Sequence, residues 1–274
     1  MKKKTIIRYI LIVAIFVITI LEIAPIILII LNSFKTDKEI WFGNPFSFFI
    51  PTLNSYHNVI SSTTFTHGLL ISLIVGVLVT IISVMLGALA AYGLTRFKFR
   101  GRNVIAYSML SSRMIPQLAL MVPFYMLFRT FGMLDMTPSL VIAYISFNIP
   151  YAIWMLLPFF ASVPKSFEEA ATIDGASRNQ IFWRIVLPLA VPGLSVASIF
   201  VFINSWNEFL YALILTGSKD QTAPIAIMGY LGEYTPKWGE ISAAGMIMLI
   251  PAFIIALFMQ KYVIEGLSIG GVKG

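Results

Sequence analysis

The chain has 274 residues, 58% of them hydrophobic and only 11% charged, and contains no cysteine. Soluble domains carry about 25% charged residues, so the composition excludes an ordinary soluble globule, a disulfide framework and thiolate chemistry. The net charge of +7 lies in short clusters beside apolar runs, the pattern of cytoplasmic membrane loops and not a nucleic-acid footprint.

Six apolar stretches approach the roughly 20 residues that a bilayer-spanning helix needs. They are Ile10–Leu31, Gly68–Leu94, Val104–Leu127, Leu140–Phe160, Val191–Leu215 and Ile241–Val263. The first follows Met1-Lys2-Lys3-Lys4, as a signal core would. It exceeds the about 7–15 residues of such a core and no small-residue cleavage site follows, so it reads as a membrane anchor. In the second span, Gly87 and Ala91 lie four apart and suit close helix packing. The third is interrupted at Ser111-Ser112-Arg113-Met114-Ile115-Pro116. A cation at that depth costs about 2.5–3.5 kcal/mol on insertion scales and must face protein or water. Glu22 and Glu208 are the intramembrane carboxylates available to pair with Arg113, either as a structural ion pair or along a pathway. In the fifth span, Asn204, Asn207, Glu208 and Tyr211 fall at i, i+3, i+4 and i+7, one face of a continuous helix. Such a face suits a hydroxyl-rich solute or, equally, bonds to neighbouring helices.

Thirteen Lys and Arg residues fall on the side of the N-terminus, the Arg96–Arg102 cluster, the loop after the fourth span and the tail. Five fall on the other side: Lys35, Lys38, Arg129, Lys219 and Lys237. Both termini are therefore predicted inside, with the larger outer segments at about Asn32–His67 and Thr216–Glu240. Residues 1–9 read as a cytoplasmic N-terminus, 10–267 as one transmembrane domain and 268–274 as a cytoplasmic tail.

The longest polar interruption, Ser166 to Gly193, then faces the cytoplasm. Ser166 with Glu169 fits a capping box, and Ser177 with Gln180 fits a second. Asp174-Gly175 stops the first helix, and Pro188 and Pro192 break the second before the fifth span. Phe182 and Val186 share one helical face, as do Ile181 and Ile185. No G-x-x-x-x-G-K-[ST] loop is present, so no nucleotide is hydrolysed by that route. His57 and His67, the two histidines, have no metal-ligand spacing.

Within that interruption, Glu169-Ala170-Ala171, three residues, Gly175, nine residues, Ile185, one residue and Leu187-Pro188 resemble the EAA signature of binding-protein-dependent ABC importer permeases. Asp174-Gly175-Ala176, Phe182, Asn32-Ser33-Phe34-Lys35, Pro51-Thr52-Leu53-Asn54-Ser55-Tyr56 and Trp206-Asn207-Glu208-Phe209 resemble the carbohydrate branch, in particular its six-span maltose-transporter permease. Gly266 to Gly274 is similar to that group's tail. The resemblance covers essentially the whole chain; Ser55-Tyr56 stands where the family more often has Asn-Tyr.

The resemblance implies an all-α polytopic membrane protein of the type I ABC importer permease fold, with six transmembrane helices and both termini inside. It implies a multi-pass protein of the bacterial inner membrane, working beside a second permease chain and two cytoplasmic ABC ATPase subunits. An extracytoplasmic solute-binding protein would deliver a sugar or oligosaccharide, with Thr216–Glu240 as this chain's contact. Residues 163–190 would form the coupling element, with Glu169, Ala170, Ala171, Gly175, Ile185, Leu187 and Pro188 as its ATPase-coupling residues. Arg113, Asn204, Asn207, Glu208 and Tyr211 are the candidate polar residues of the pathway. The chain itself would bind no cofactor or metal and perform no catalysis, with ATP and Mg held by the partner subunits. The tail after Gly266 would reach the ATPase pair. Three other readings remain open: a permease for glycerol phosphate or an amino acid, a secondary transporter with Arg113, Glu22 and Glu208 as coupling charges, and an intramembrane enzyme. The last lacks a nucleophile–base pair.

Overall fold

Long uninterrupted apolar runs favour helices that satisfy every backbone group internally, and the computed structural model, which describes residues 2–271, consists of helices joined by turns and loops. The first helix, α1, is Lys2–Ser33, followed by two short helices, α2 Asp37–Phe42 and α3 Asn54–Ser61. Helix α4 then runs from Thr63 to Arg96. The predicted third span is two helices, α5 Arg102–Ser112 and α6 Gln117–Thr130, separated at Arg113–Pro116, as the interruption predicts. Helix α7 covers Thr137–Ser162.

The polar interruption forms α8 Lys165–Ile173, α9 Arg178–Ile181, a π-helical turn Phe182–Val186 and α10 Leu187–Leu189. Helix α11, Val191–Trp206, follows after a 76° bend. The predicted fifth span does not continue as one helix: α11 ends and α12, Leu210–Leu215, starts afresh. Helix α13, Ala223–Met228, and α14, Trp238–Gly271, complete the order. Among the described residues, four helices are long and apolar enough to cross a membrane, five with the bent pair, a number consistent with six spans once the broken third, α5 with α6, is added. Residues 272–274 of the predicted tail lie outside the described residues; the last helix continues past the expected span end at Val263.

The chain divides into two compact units: Met1–Thr66 with Ala226–Ile250, and His67–Ile225 with Pro251–Gly274. In the first, the two motifs after the first span meet. Tyr56 donates to Ser33 Oγ at 2.9 Å, its ring lies 5.2 Å from that of Phe34, and the Thr52 N–H bonds the Phe34 carbonyl at 2.8 Å. Lys35 is buried, its Nζ donating to the Pro45 carbonyl at 2.6 Å and lying 4.9 Å from the Phe49 ring centre.

The second unit has a core built from α4, α7, α11 and the π turn, including Val79, Ala88, Tyr144, Leu156, Phe160, Val186 and Val201. Gly87 permits the approach of α4 to α7, since a Cβ there would lie 2.7 Å from the Ala152 methyl. Ala91, one turn on, is fully buried, so the small-residue spacing does mark a helix interface.

Candidate functional site

The helix pair of the EAA pattern is built from local signals, one of which differs from expectation. Pro164 is the N-cap of α8, with no side-chain cap bond, so Ser166 and Glu169 form no capping box. Val163 is extended, as a residue before proline favours; the helix therefore starts at once, leaving Ser166 inside its first turn. The end matches expectation. Gly175 has φ +80°, its N–H bonds the Thr172 carbonyl at 3.1 Å, and the Ala176 N–H bonds the Ala171 carbonyl at 2.9 Å. These bonds form a Schellman motif. Ser177 then caps α9, and its reciprocal bonds with Gln180 are 3.4 and 2.7 Å.

The π turn is the element that periodicity did not reveal. The Leu187 N–H reaches back five residues to the Phe182 carbonyl. In a regular α-helix the Pro188 ring would clash with the carbonyl four residues earlier, and the wider turn relieves that clash. Pro192 occupies the first turn of α11, after the non-helical Ala190, where a missing N–H costs nothing.

Burial sorts the motif residues. Ala171 is buried and Ile185 and Leu187 are half-buried, whereas Glu169, Ala170, Gly175 and Pro188 are exposed. Phe182, Val186 and Ile181 face the core. The opposite side presents Phe167, Ile173 and Trp183 to the outside, Ile173 at 87% exposure.

Three residues absent from the sequence-based candidates hold this hairpin to the core. Glu168 is 6% exposed and forms the one ion pair among the described residues, with Arg96 at the end of α4. Tyr92, one turn earlier, donates to the other Glu168 oxygen at 3.0 Å, and Arg96 also donates to the Val163 carbonyl at 2.7 Å. A cavity of about 430 Å³ is lined by Arg96, Lys165, Glu168, Glu169, Thr172, Ile173 and Arg178. The (i, i+4) spacing of Tyr92 and Arg96 is readable in the sequence, but not their shared partner, 76 and 72 residues on.

The intramembrane polar residues are placed differently from expectation. Arg113 is exposed and stacks over the Tyr151 ring at 4.1 Å, paired with neither carboxylate. Glu22 is exposed on α1. Glu208 is buried and accepts the N–H groups of Tyr211 and Ala212 at 2.9 and 3.2 Å. Asn204, Asn207, Glu208 and Tyr211 therefore do not share one continuous helical face, because the helix breaks between them. Asn204 donates to Asn148 of α7 at 3.0 Å, and Asn148 donates to Ser205 at 3.1 Å. Asn207 is exposed. Tyr211 is fully buried, stacked on Phe147 with ring centres 5.6 Å apart.

Asp135, before α7, anchors the start of the 216–240 segment, the one expected outside from the charge distribution. It has φ +56° and accepts the N–H groups of Gly217, Lys219 and Asp220 at 2.8, 3.2 and 3.0 Å. Asp220 in turn accepts the Thr137 N–H and hydroxyl at 2.6 and 2.8 Å. Burial pushes the Asp135 carboxyl up, but the three N–H bonds and Lys219 outweigh it and hold it below the ordinary value of 3.8. A carboxyl depressed by folding stabilises fully above its unfolded value and loses that contribution as pH falls through the folded one. Limited proteolysis of the 216–240 segment should therefore be slow at pH 5 and accelerate well below 3.8, and Asp135→Ala should be cleaved fast even at neutral pH. Equal cleavage of parent and variant at neutral pH would show that the clasp does not hold the segment.

These features define a polytopic all-helical membrane protein with an exposed helix hairpin between two of its membrane helices. A model of the binding-protein-dependent transport system inner membrane component matches residues 83–269, and the chain belongs to that family. It is 35% identical to the trehalose/maltose transport system permease protein MalG of Thermococcus litoralis, over all of both chains. It is 37% identical to the trehalose transport system permease protein SugB of Mycobacterium tuberculosis, covering 81% of this chain and 82% of the relative. Its fold matches a chain from the crystal structure of a bacterial ABC transporter that imports the acidic polysaccharide alginate. The TM-score is 0.81 at 23% identity, over 96% of this chain and 98% of that one. The protein is thus a multi-pass transport component of the bacterial inner membrane.

Proposed function

We propose that this chain forms half of the transmembrane pathway of an ATP-driven importer for a di- or oligosaccharide. Residues 10–267 are its transport domain, flanked by cytoplasmic residues 1–9 and 268–274. A second permease chain supplies the other half, an extracytoplasmic binding protein delivers the sugar, and two ATPase subunits hold the ATP and Mg. The chain contributes no nucleotide site of its own and passes motion through residues 163–190.

The observation that carries this reading is the hairpin itself. Residues matching the EAA pattern fold into a capped, sharply turned helix pair whose inner side is fixed to the core and whose outer side exposes Phe167 and Ile173. Exposed apolar side chains at the tip of a rigid polar element suit a protein partner. Glu169, Ala170, Gly175 and Pro188 are at the surface of this pair, while Ala171, Ile185 and Leu187 set its inner packing. Full-length likeness to a permease for trehalose and maltose supports a sugar as the solute. The placement of Asn204 and Glu208 supports a bracing role over direct contact with the solute.

Uptake by cells expressing the intact system tests this reading. Trehalose, maltose, glycerol 3-phosphate and an amino acid mixture would be compared, with either ATP depletion or an ionophore. Uptake of a sugar that needs ATP and survives the ionophore is expected. Uptake lost with the ionophore and kept without ATP would instead establish a secondary transporter.

A further inference from the structure

Resting on the coupling role proposed above, we infer that Arg96, Glu168 and Tyr92 form the joint through which the hairpin moves α4. They are positioning residues for transport, not contacts to the solute.

The attachment of α8 to the core is narrow. Of its nine residues only Glu168 and Ala171 are buried. The chain enters α8 through extended backbone at Val163 and Pro164 and leaves it through the left-handed Gly175, neither of which resists bending as a helix does. A push on the exposed face of α8 therefore enters the membrane helices through few contacts: the apolar one at Ala171, and the charged one with α4, which alone fixes direction. Tyr92 and Arg96 lie one turn apart and each takes one oxygen of the same carboxylate. Such two-point bonding fixes orientation as well as distance.

Arg96 also holds the Val163 carbonyl at 2.7 Å, so the end of α7 is tied to the same point. Tyr92 reaches the second limb too, with its ring 5.1 Å from that of Phe182, and lies 6.4 Å from that of Phe160 in α7. Two consecutive turns of α4 thus grip both limbs of the hairpin. The pair is almost fully removed from solvent, at 5% and 7% side-chain exposure. Breaking one partner of such a pair leaves an uncompensated buried charge, so α4 follows the hairpin instead of letting it slip.

This chain contains no cysteine, so two introduced ones can be labelled selectively once any cysteines of the partner subunits are replaced. Nitroxide labels placed at Lys98→Cys, beyond α4, and Ser166→Cys, on α8, report the separation of the two elements in the full complex purified with its co-expressed subunits. With the native pair, the distance distribution should be narrow and the same in nucleotide-free and ATP–vanadate-trapped complexes. Glu168→Gln should broaden it and make it nucleotide-dependent, while sugar uptake per ATP hydrolysed falls about 10-fold, within the range expected for residues that transmit coupling. Arg96→Lys keeps the charge but loses the second arm to Val163, and should fall between. Exchanging the charges, Arg96→Glu with Glu168→Arg, should return the distribution toward the parent.

A parent distance that changes with nucleotide, a Glu168→Gln distribution identical to the parent, or an exchange variant no better than the single substitution would each overturn the joint. If Glu168→Gln fails to assemble, Arg96→Lys and the exchange variant carry the test. Failure of any ATPase subunit to co-purify with the unsubstituted chain would remove the coupling reading itself, and this inference with it.

Discussion

Replacing Glu208 with leucine is expected to cost the protein more stability than any other single change in the fifth span. Glu208 is 8% exposed, and its carboxylate accepts two backbone N–H groups at the start of α12, those of Tyr211 and Ala212. Leucine removes both acceptors and leaves the donors buried, at about 1–3 kcal/mol for each orphaned group. A favourable charge at a helix N-terminus is lost as well. Glutamine retains one acceptor oxygen and should lie between. Thermal unfolding of the purified complex, together with its abundance in the membrane, measures this directly. The leucine variant should be the least stable and the glutamine variant intermediate. Parental stability and uptake in the leucine variant would show that Glu208 neither braces the break nor serves the pathway.

The second large effect is expected at Gly175, and on coupling in place of abundance. A Cβ built there meets nothing within 4 Å, so side-chain size is no obstacle. The obstacle is φ of +80°, which costs an ordinary residue about 1–2 kcal/mol and a β-branched one more. The turn also holds the two bonds that close α8, from Gly175 to Thr172 and from Ala176 to Ala171. Straightening it would redirect Ile173 and unravel the end of α8. Stimulated ATP hydrolysis should be kept by Gly175→Asn, since asparagine tolerates this backbone region, reduced by Gly175→Asp and largely lost by Gly175→Val. Normal stimulation in an assembled Gly175→Val complex would remove the turn from the coupling mechanism.

What could be read in advance was whatever depends on neighbours in sequence. Ser177 and Gln180 cap each other across three residues, Gly175 adopts the backbone only glycine takes freely, and Gly87 with Ala91 marks a close helix contact; each needs no knowledge of the rest of the fold. The Ser166–Glu169 spacing had the same form but failed, because Pro164 sets the helix start two residues earlier. The break after Trp206 carried no glycine or proline to announce it. There, a buried carboxylate competes for backbone donors, and the one-face arithmetic for Asn204 through Tyr211 presumed a helix that does not continue. Glu22 and Glu208 were available to Arg113 by composition and depth, but it stays exposed and lies over the Tyr151 ring. Glu168 stood beside the motif residue Glu169, yet its buried partners come from α4, a pairing no local period encodes.

The π turn at Phe182–Val186 makes segment length itself informative. One residue more than an α-turn requires is stored there, and each residue of a regular helix advances the direction of its side chains by about 100°. Deleting that surplus residue would close the turn to a regular α-helix with its flanking segments nearly in phase, but would set the Pro188 ring against the carbonyl four residues earlier. A further residue inserted there has no wider turn to store it, and would swing the heading of the tip at Ile173 by about 100° relative to α11. The number of residues between Gly175 and Pro188 is therefore a compass setting, and a chain with a further residue in this interval would not aim its hairpin at the same partner surface.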